Sequence, residues 1–254
     1  MSIDLNSISK NTQLPQRIVI YGSAGIGKTT FASEAPDVVF IRTEDGLGDL
    51  DVSSFPLATS FEDVLEALGT LGKEEHKFKT VAIDSLDWLE PLSWSATCRR
   101  LNVAGIEDLG YGKGYVENMK EWDLFFDYVT ALRNVKGMTV IMLAHNAIVR
   151  VEDPVHPAYD THDLKLHRRA AARIKEFADV IGFCAPKTIV TTEKGSFNKT
   201  RNRAVDTGEG RVLYLSPTPA FVAKNRCHMP KEIPLVWDEF AKYLPSTTKT
   251  NGGN

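Results

Sequence analysis

Lys28 and Thr29 stand in the run GSAGIGKTT (residues 22–30), which satisfies G-x-x-x-x-G-K-[ST] without a mismatch through Gly22, Gly27, Lys28 and Thr29. A polyphosphate carries several negative charges. A glycine-rich turn can aim successive backbone N–H groups at it, backed by the positive end of the helix that follows. Gly22, Ser23, Ala24, Gly25, Ile26 and Gly27 are therefore expected to form a phosphate cradle with Lys28, Thr29 and Thr30. Lys28 is expected to reach the β and γ phosphates and Thr29 to offer its hydroxyl to Mg2+, which implies ATP and Mg2+ as cofactors.

Such a site needs an acid at the end of a neighbouring strand to hold the metal through its water shell. Asp84, closing the run TVAID, is that candidate; the alternative is a strand-end acid that only caps the next helix. Hydrolysis also needs a group that orients or deprotonates water. Glu44, just after VVFI, is one candidate, and Asp45, Asp49 and Asp51 nearby make a solvated loop acid the alternative. His145 ends the apolar run TVIMLA, where it either faces the γ-phosphate or is simply a satisfied polar strand end.

These residues need elements to hold them. RIVIY (17–21) and KTTFASEA read as a strand and a short helix on either side of the loop, the helix closed by Pro36. VVFI (38–41), TVAID (80–84) and TVIMLAH (139–145) read as further buried strands. Ser60 with Asp63 starts a helix through FEDVLEALGTL, and another runs from Ser85 toward Arg99 and Arg100 with Pro91 near its first turns. Met119, Trp122, Phe125, Phe126, Val129 and Leu132 recur at helical spacing and predict a core-facing stripe. A basic helix is expected near 162–178, strands near 180–184 and 188–193, a hairpin through RVLYL (211–215) and a last helix in VWDEFAKYL. The predicted fold is α/β, a mainly parallel central sheet flanked by helices with a C-terminal antiparallel extension, and the site lies at the C-terminal edge of the parallel strands.

The chain has 254 residues, enough for one sizeable core, and a formal net charge of −3, so a nucleic-acid surface has to be a local patch. No run approaches a membrane span and the N-terminus lacks a leader pattern, so a soluble cytoplasmic protein with no membrane partner is expected. Cys98, Cys184 and Cys227 stand in no C-x-x-C spacing, which argues against a disulfide framework or a zinc site. The expected division is an N-terminal segment 1–16, a core 17–244 and a disordered tail 245–254.

Taken together, GSAGIGKT, FIRTEDGL, VAIDSL, GYGKGY, IMLAH and PTPAFVAKNR (217–226) resemble, in the same order, the RecA-like core ATPases. They resemble more closely the compact phage recombination ATPases of the Sak-four single-strand annealing type. The resemblance implies that Glu44 activates water, that His145 couples the γ-phosphate to a DNA-binding loop, and that Lys224 and Arg226 reach into a neighbour's ATP site. The implied partners are single-stranded DNA, further copies in a ring or filament with ATP at the interfaces, and a single-strand-binding protein. An oligomerisation arm is implied in LNSIS, and a separate C-terminal domain like that of bacterial RecA is not expected.

Two segments are similar to DNA-facing loops. One is 105–115 with Tyr111, Lys113 and Tyr115; the other follows His145 into a basic run with Lys165, Arg168, Arg169, Arg173 and Lys175, for which a solvated helix face is the alternative. The function implied is an ATPase that binds single-stranded DNA and promotes annealing or recombination. An ATP-switched replication accessory factor resembling a helicase loader, and a small-molecule kinase, remain alternatives.

Overall fold

The computed structural model describes residues 4, 8, 13–155, 157–194 and 200–245, with the backbone alone for 188–194 and 200–209. Most of the expected N-terminal arm, including all of LNSIS but Ile8, and all but the first residue of the expected tail lie outside the described residues.

In chain order the strands are β1 (Arg17–Gly22), β2 (Val38–Arg42), β3 (Ser53–Ser54), β4 (Thr80–Asp84), β5 (Thr139–Val151), β6 (Tyr159–Leu164), β7 (Val180–Lys194), β8 (Thr200–Tyr214), β9 (Lys224–Asn225) and β10 (Glu232–Pro234). The helices are α1 (Lys28–Ser33), α2 (Phe61–Lys73), α3 (Leu86–Leu101), α4 (Lys113–Glu117), α5 (Met119–Ala131), α6 (Arg168–Phe177) and α7 (Trp237–Ala241). The main sheet runs β10-β8-β7-β1-β5-β4-β2-β3. It is parallel from β3 through β7 and antiparallel at β7–β8 and β8–β10, the fold class expected from the order of elements.

β1 lies between β5 and β7, yet the chain leaving it passes through α1 to β2, on the far side of β5 and β4. Chain order therefore reverses at β1, and the crevice beyond its C-terminal end is where ligands sit in open α/β sheets. Ile18, Val19, Ile20 and Tyr21 are fully buried because the strand has packed layers on both faces. One layer is formed by α2, α3, α5 and α6, with Trp122, Phe125, Phe126, Val129 and Leu132 of the predicted stripe inside it. The other is formed by α1 and the C-terminal segment, where Phe31 meets Trp237 and Phe240 edge-on. Ser60 caps α2 as expected, its hydroxyl accepting from Asp63 N at 3.1 Å while Asp63 Oδ2 accepts from Ser60 N at 2.9 Å.

The basic helix is shorter than 162–178. His162–Leu164 belong to β6, antiparallel to the outer half of β5, and the helix begins only at Arg168. The two strands expected near 180–184 and 188–193 are one strand, β7, with a register shift between Pro186 and Thr188. The glycine-rich segment 105–115 also folds in part, its last residues forming α4. The three cysteines are free. No described helix is long and apolar enough to cross a membrane.

Candidate nucleotide site

Gly27 has φ 100° and Gly25 φ 73°, left-handed backbone that glycine adopts without the penalty of a Cβ. The turn carries the chain sharply from β1 into α1. Lys28 folds back over it, 6% exposed, with Nζ donating to the carbonyls of Gly22 at 3.2 Å and Ser23 at 3.0 Å. Burial draws its pKa down, against the pull of the acids around it.

The Thr29 hydroxyl donates to Asp84 Oδ2 at 2.8 Å, and Asp84 is 4% exposed. Burial pushes the Asp84 carboxyl up, while the bond from Thr29 and the charge of Lys28 act the other way. A hydroxyl and a carboxylate converging in this way are hard oxygen donors suited to Mg2+, which takes its remaining ligands from phosphate and water. The ion's chemistry there would be to bridge and neutralise phosphate oxygens.

β2 is stitched to β4 at the same end. Thr43 N donates to Asp84 O at 2.8 Å, and the Thr43 hydroxyl bonds Ser85 O at 2.7 Å while accepting from Ser85 N at 2.8 Å. This fixes the start of the following turn, so Glu44 lines the cleft with Lys28, Thr29 and Asp84. Asp49 and Asp51 are exposed outside that lining, and Asp45, also exposed, pairs with Arg42 at 3.7 Å. Geometry thus separates Glu44 from its acidic neighbours, which spacing did not.

His145 lines the same cleft, whose volume is about 460 Å3. Its Nδ1 bonds Asp87 Oδ2 at 2.9 Å, and its backbone N–H donates to Asp87 Oδ1 at 2.9 Å. Asp87, in the first turn of α3, was missed by sequence reasoning, as was Arg211 of β8, which also lines the cleft. The only trace of Asp87 was its place one turn after Asp84; Arg211 left no signal beyond a cation ahead of a buried run.

Lys224 and Arg226 lie elsewhere. β9 pairs with the first residues of β7, and Arg226 N donates to Asp179 O beside the start of β1. That is the N-terminal edge of the parallel strands, roughly 16 Å from the loop by the rise along β1. Lys224 Nζ donates to the carbonyls of Lys175 and Glu176 at 2.8 and 2.9 Å, closing the end of α6. Arg226 bonds Asp179 at 3.2 Å, an acid that Arg17 already holds through two bonds of 3.0 Å.

The other two expected surfaces meet. Tyr115 stacks on His167 with centroids 4.0 Å apart, so the segment ending in α4 touches the residue just before Arg168 and Arg169. Tyr111, Lys113, Lys165, Arg168 and Arg169 are exposed. Arg173 pairs with Asp123, and Lys175 pairs with Asp163 at 2.7 Å, so that half of the basic run is neutralised within the fold.

The chain is similar to the SPbeta prophage-derived uncharacterized protein YorG of Bacillus subtilis (strain 168), at 26% identity over 169 residues. The match covers 65% of this chain and 49% of that protein, so the chain spans about half the relative's length. Among solved structures, the RadB recombinase is similar at 15% identity with a TM-score of 0.43, covering 74% of this chain and 85% of that one. The family described as AAA domain matches residues 14–227, a span that takes in the phosphate loop, Glu44, Asp84, His145 and Arg226, and the chain belongs to that family of P-loop NTPases.

Proposed function

We propose that the chain is a compact RecA-like recombination ATPase of the single-strand annealing type. In this reading it binds and hydrolyses ATP with Mg2+, binds single-stranded DNA, and works as a ring or filament with ATP at its subunit interfaces. The observation that carries the reading is the short path out of the cleft. His145 bonds Asp87, Lys165 Nζ lies 3.9 Å from the same carboxylate, and Lys165 N donates to His145 O at 2.9 Å. A change at the γ-phosphate that moves His145 therefore acts within two contacts on the basic segment leading into α6. Beside that segment lie exposed cations and the Tyr115 patch, a combination suited to phosphates and unstacked bases. The prophage-derived relative supports a phage origin.

The test is steady-state ATP hydrolysis with single-stranded DNA, duplex DNA, RNA or no nucleic acid, with Lys28→Ala as the blank. Stimulation by single-stranded DNA above the other additions is expected, followed by annealing of complementary strands. Turnover indifferent to every nucleic acid would overturn the DNA reading and favour a nucleotide switch acting on a protein partner.

A further inference from the structure

Arg211, on β8, lines the same cleft as Lys28. Its backbone is locked on two sides, opposite Pro186 of β7 and accepting a bond from Leu235 N at 2.9 Å. The two residues after it, Val212 and Leu213, are buried, and Leu213 packs where a Cβ on Gly182 would intrude. The strand is thus held in place by the core, and only the exposed side chain of Arg211 is left to reach outward. It reaches the phosphate loop. A Cβ built on Gly27 would collide with the guanidinium, with Cζ 3.5 Å and Cδ 3.7 Å away.

No carboxylate among the described residues pairs with this guanidinium. Apart from Arg168 and Arg169 of α6, every other arginine whose side chain is described has a carboxylate within 4 Å. An arginine over a phosphate loop with no carboxylate partner among the described residues, lining one cleft with Lys28 and Thr29, points to an anionic occupant. Lys28 is the other side-chain cation lining the cleft, and its ammonium already bonds two loop carbonyls. A planar guanidinium adds both charge and a fork that matches phosphate oxygens.

We propose that Arg211 is a phosphate-contacting residue of the nucleotide site, acting from the same chain as Lys28 on the polyphosphate of a nucleoside triphosphate. The proposal rests on the nucleotide-binding part of the function above and not on the DNA part.

The experiment titrates the full-length wild type, Arg211→Ala, Arg211→Lys and Lys28→Ala with a fluorescent ATP analogue at two salt concentrations, and records each protein's thermal midpoint without nucleotide. Arg211→Ala is expected to keep the nucleotide-free midpoint, because the side chain is exposed and pairs with no carboxylate among the described residues. It should lose about tenfold or more in affinity, the scale of a hydrogen bond to a charged group. Arg211→Lys should recover part of that loss, and the alanine variant should respond less to salt. Wild-type affinity in Arg211→Ala, with binding lost in Lys28→Ala, would overturn the proposal and leave the nucleotide site intact. A lowered nucleotide-free midpoint that Arg211→Lys restores together with full affinity would make the residue a structural cover, which also overturns it. Failure of the wild type to bind would overturn the nucleotide reading itself.

Discussion

Lys28 and Glu44 line one cleft, and the proposed function has the first hold phosphate and the second activate water, so their variants should fail in different ways. Removing the Lys28 ammonium leaves the loop carbonyls of Gly22 and Ser23 without their donor and the phosphates without their central cation. Lys28→Ala is expected to abolish ATP binding in an equilibrium titration. Glu44→Gln keeps the shape and removes the base. It should bind ATP with near wild-type affinity while phosphate release falls about 100-fold or more, the scale of a lost general base. Normal turnover in that variant would move the role to another group. The loop and Asp84 were legible because each is set by local pattern, a glycine motif or an acid at a strand end, whereas Glu44 stood among Asp45, Asp49 and Asp51 until the fold set it alone in the cleft. Asp87 and Arg211 were not legible, because their places at the site exist only through contacts with β5 and the phosphate loop, far away along the chain.

At the scale of elements, α3 carries a carboxylate whose state depends on pH. Glu90 is 5% exposed, and both its oxygens accept from His167 N, at 3.0 and 2.9 Å. Burial raises its pKa to about 7, against the opposing bond from His167. The folded value lies above the unfolded one, so the folded chain holds more protons between about pH 4.5 and 7, and stability falls as pH rises through that window. Glu90→Gln keeps an acceptor for His167 N and removes the charge. It should flatten this dependence and stabilise the protein at pH 8 by about 1–3 kcal/mol, read from denaturant midpoints. An unchanged pH profile would show that Glu90 stays ionised at no cost. α6 makes a separate prediction. Among the described residues Arg168 and Arg169 have no carboxylate partner, whereas Arg173 and Lys175 have one. Alanine at Arg168 or Arg169 should each reduce the log–log salt slope of single-strand binding by about 0.7, and alanine at Arg173 should reduce it less. The start of α6 was misread because YDTHDL is too polar to announce a strand; it becomes one by pairing with β5, which supplies the hydrogen bonds that a polar run satisfies in water when alone.

At the scale of the whole molecule, the sheet has two ends with different chemistry. The C-terminal end holds the cleft; the N-terminal end holds Asp179 ringed by Arg17, Arg133 and Arg226. Burial would raise the Asp179 carboxyl, but the bonds from Arg17 outweigh it and keep the acid below its ordinary range. Arg226 is the outermost of the three arginines, its side chain 56% exposed, so it is the one free to face a neighbour. Since Arg226 lies a full strand length from its own loop, any part it plays in hydrolysis has to be played on another copy. A head-to-tail contact that sets one chain's N-terminal sheet end against the next chain's cleft gives a heterologous interface, which closes into a ring or continues as a filament. Arg226→Ala is then expected to bind ATP normally as a protomer and to lose turnover, as Glu44→Gln does. Mixed in equal amounts, the two inactive variants should recover activity, because about a quarter of random head-to-tail interfaces pair an intact Glu44 with an intact Arg226. Mass measurement of the mixture establishes that both chains enter one assembly. Mixed assemblies that stay inactive would remove Arg226 from the neighbour's site and leave it only its bond to Asp179.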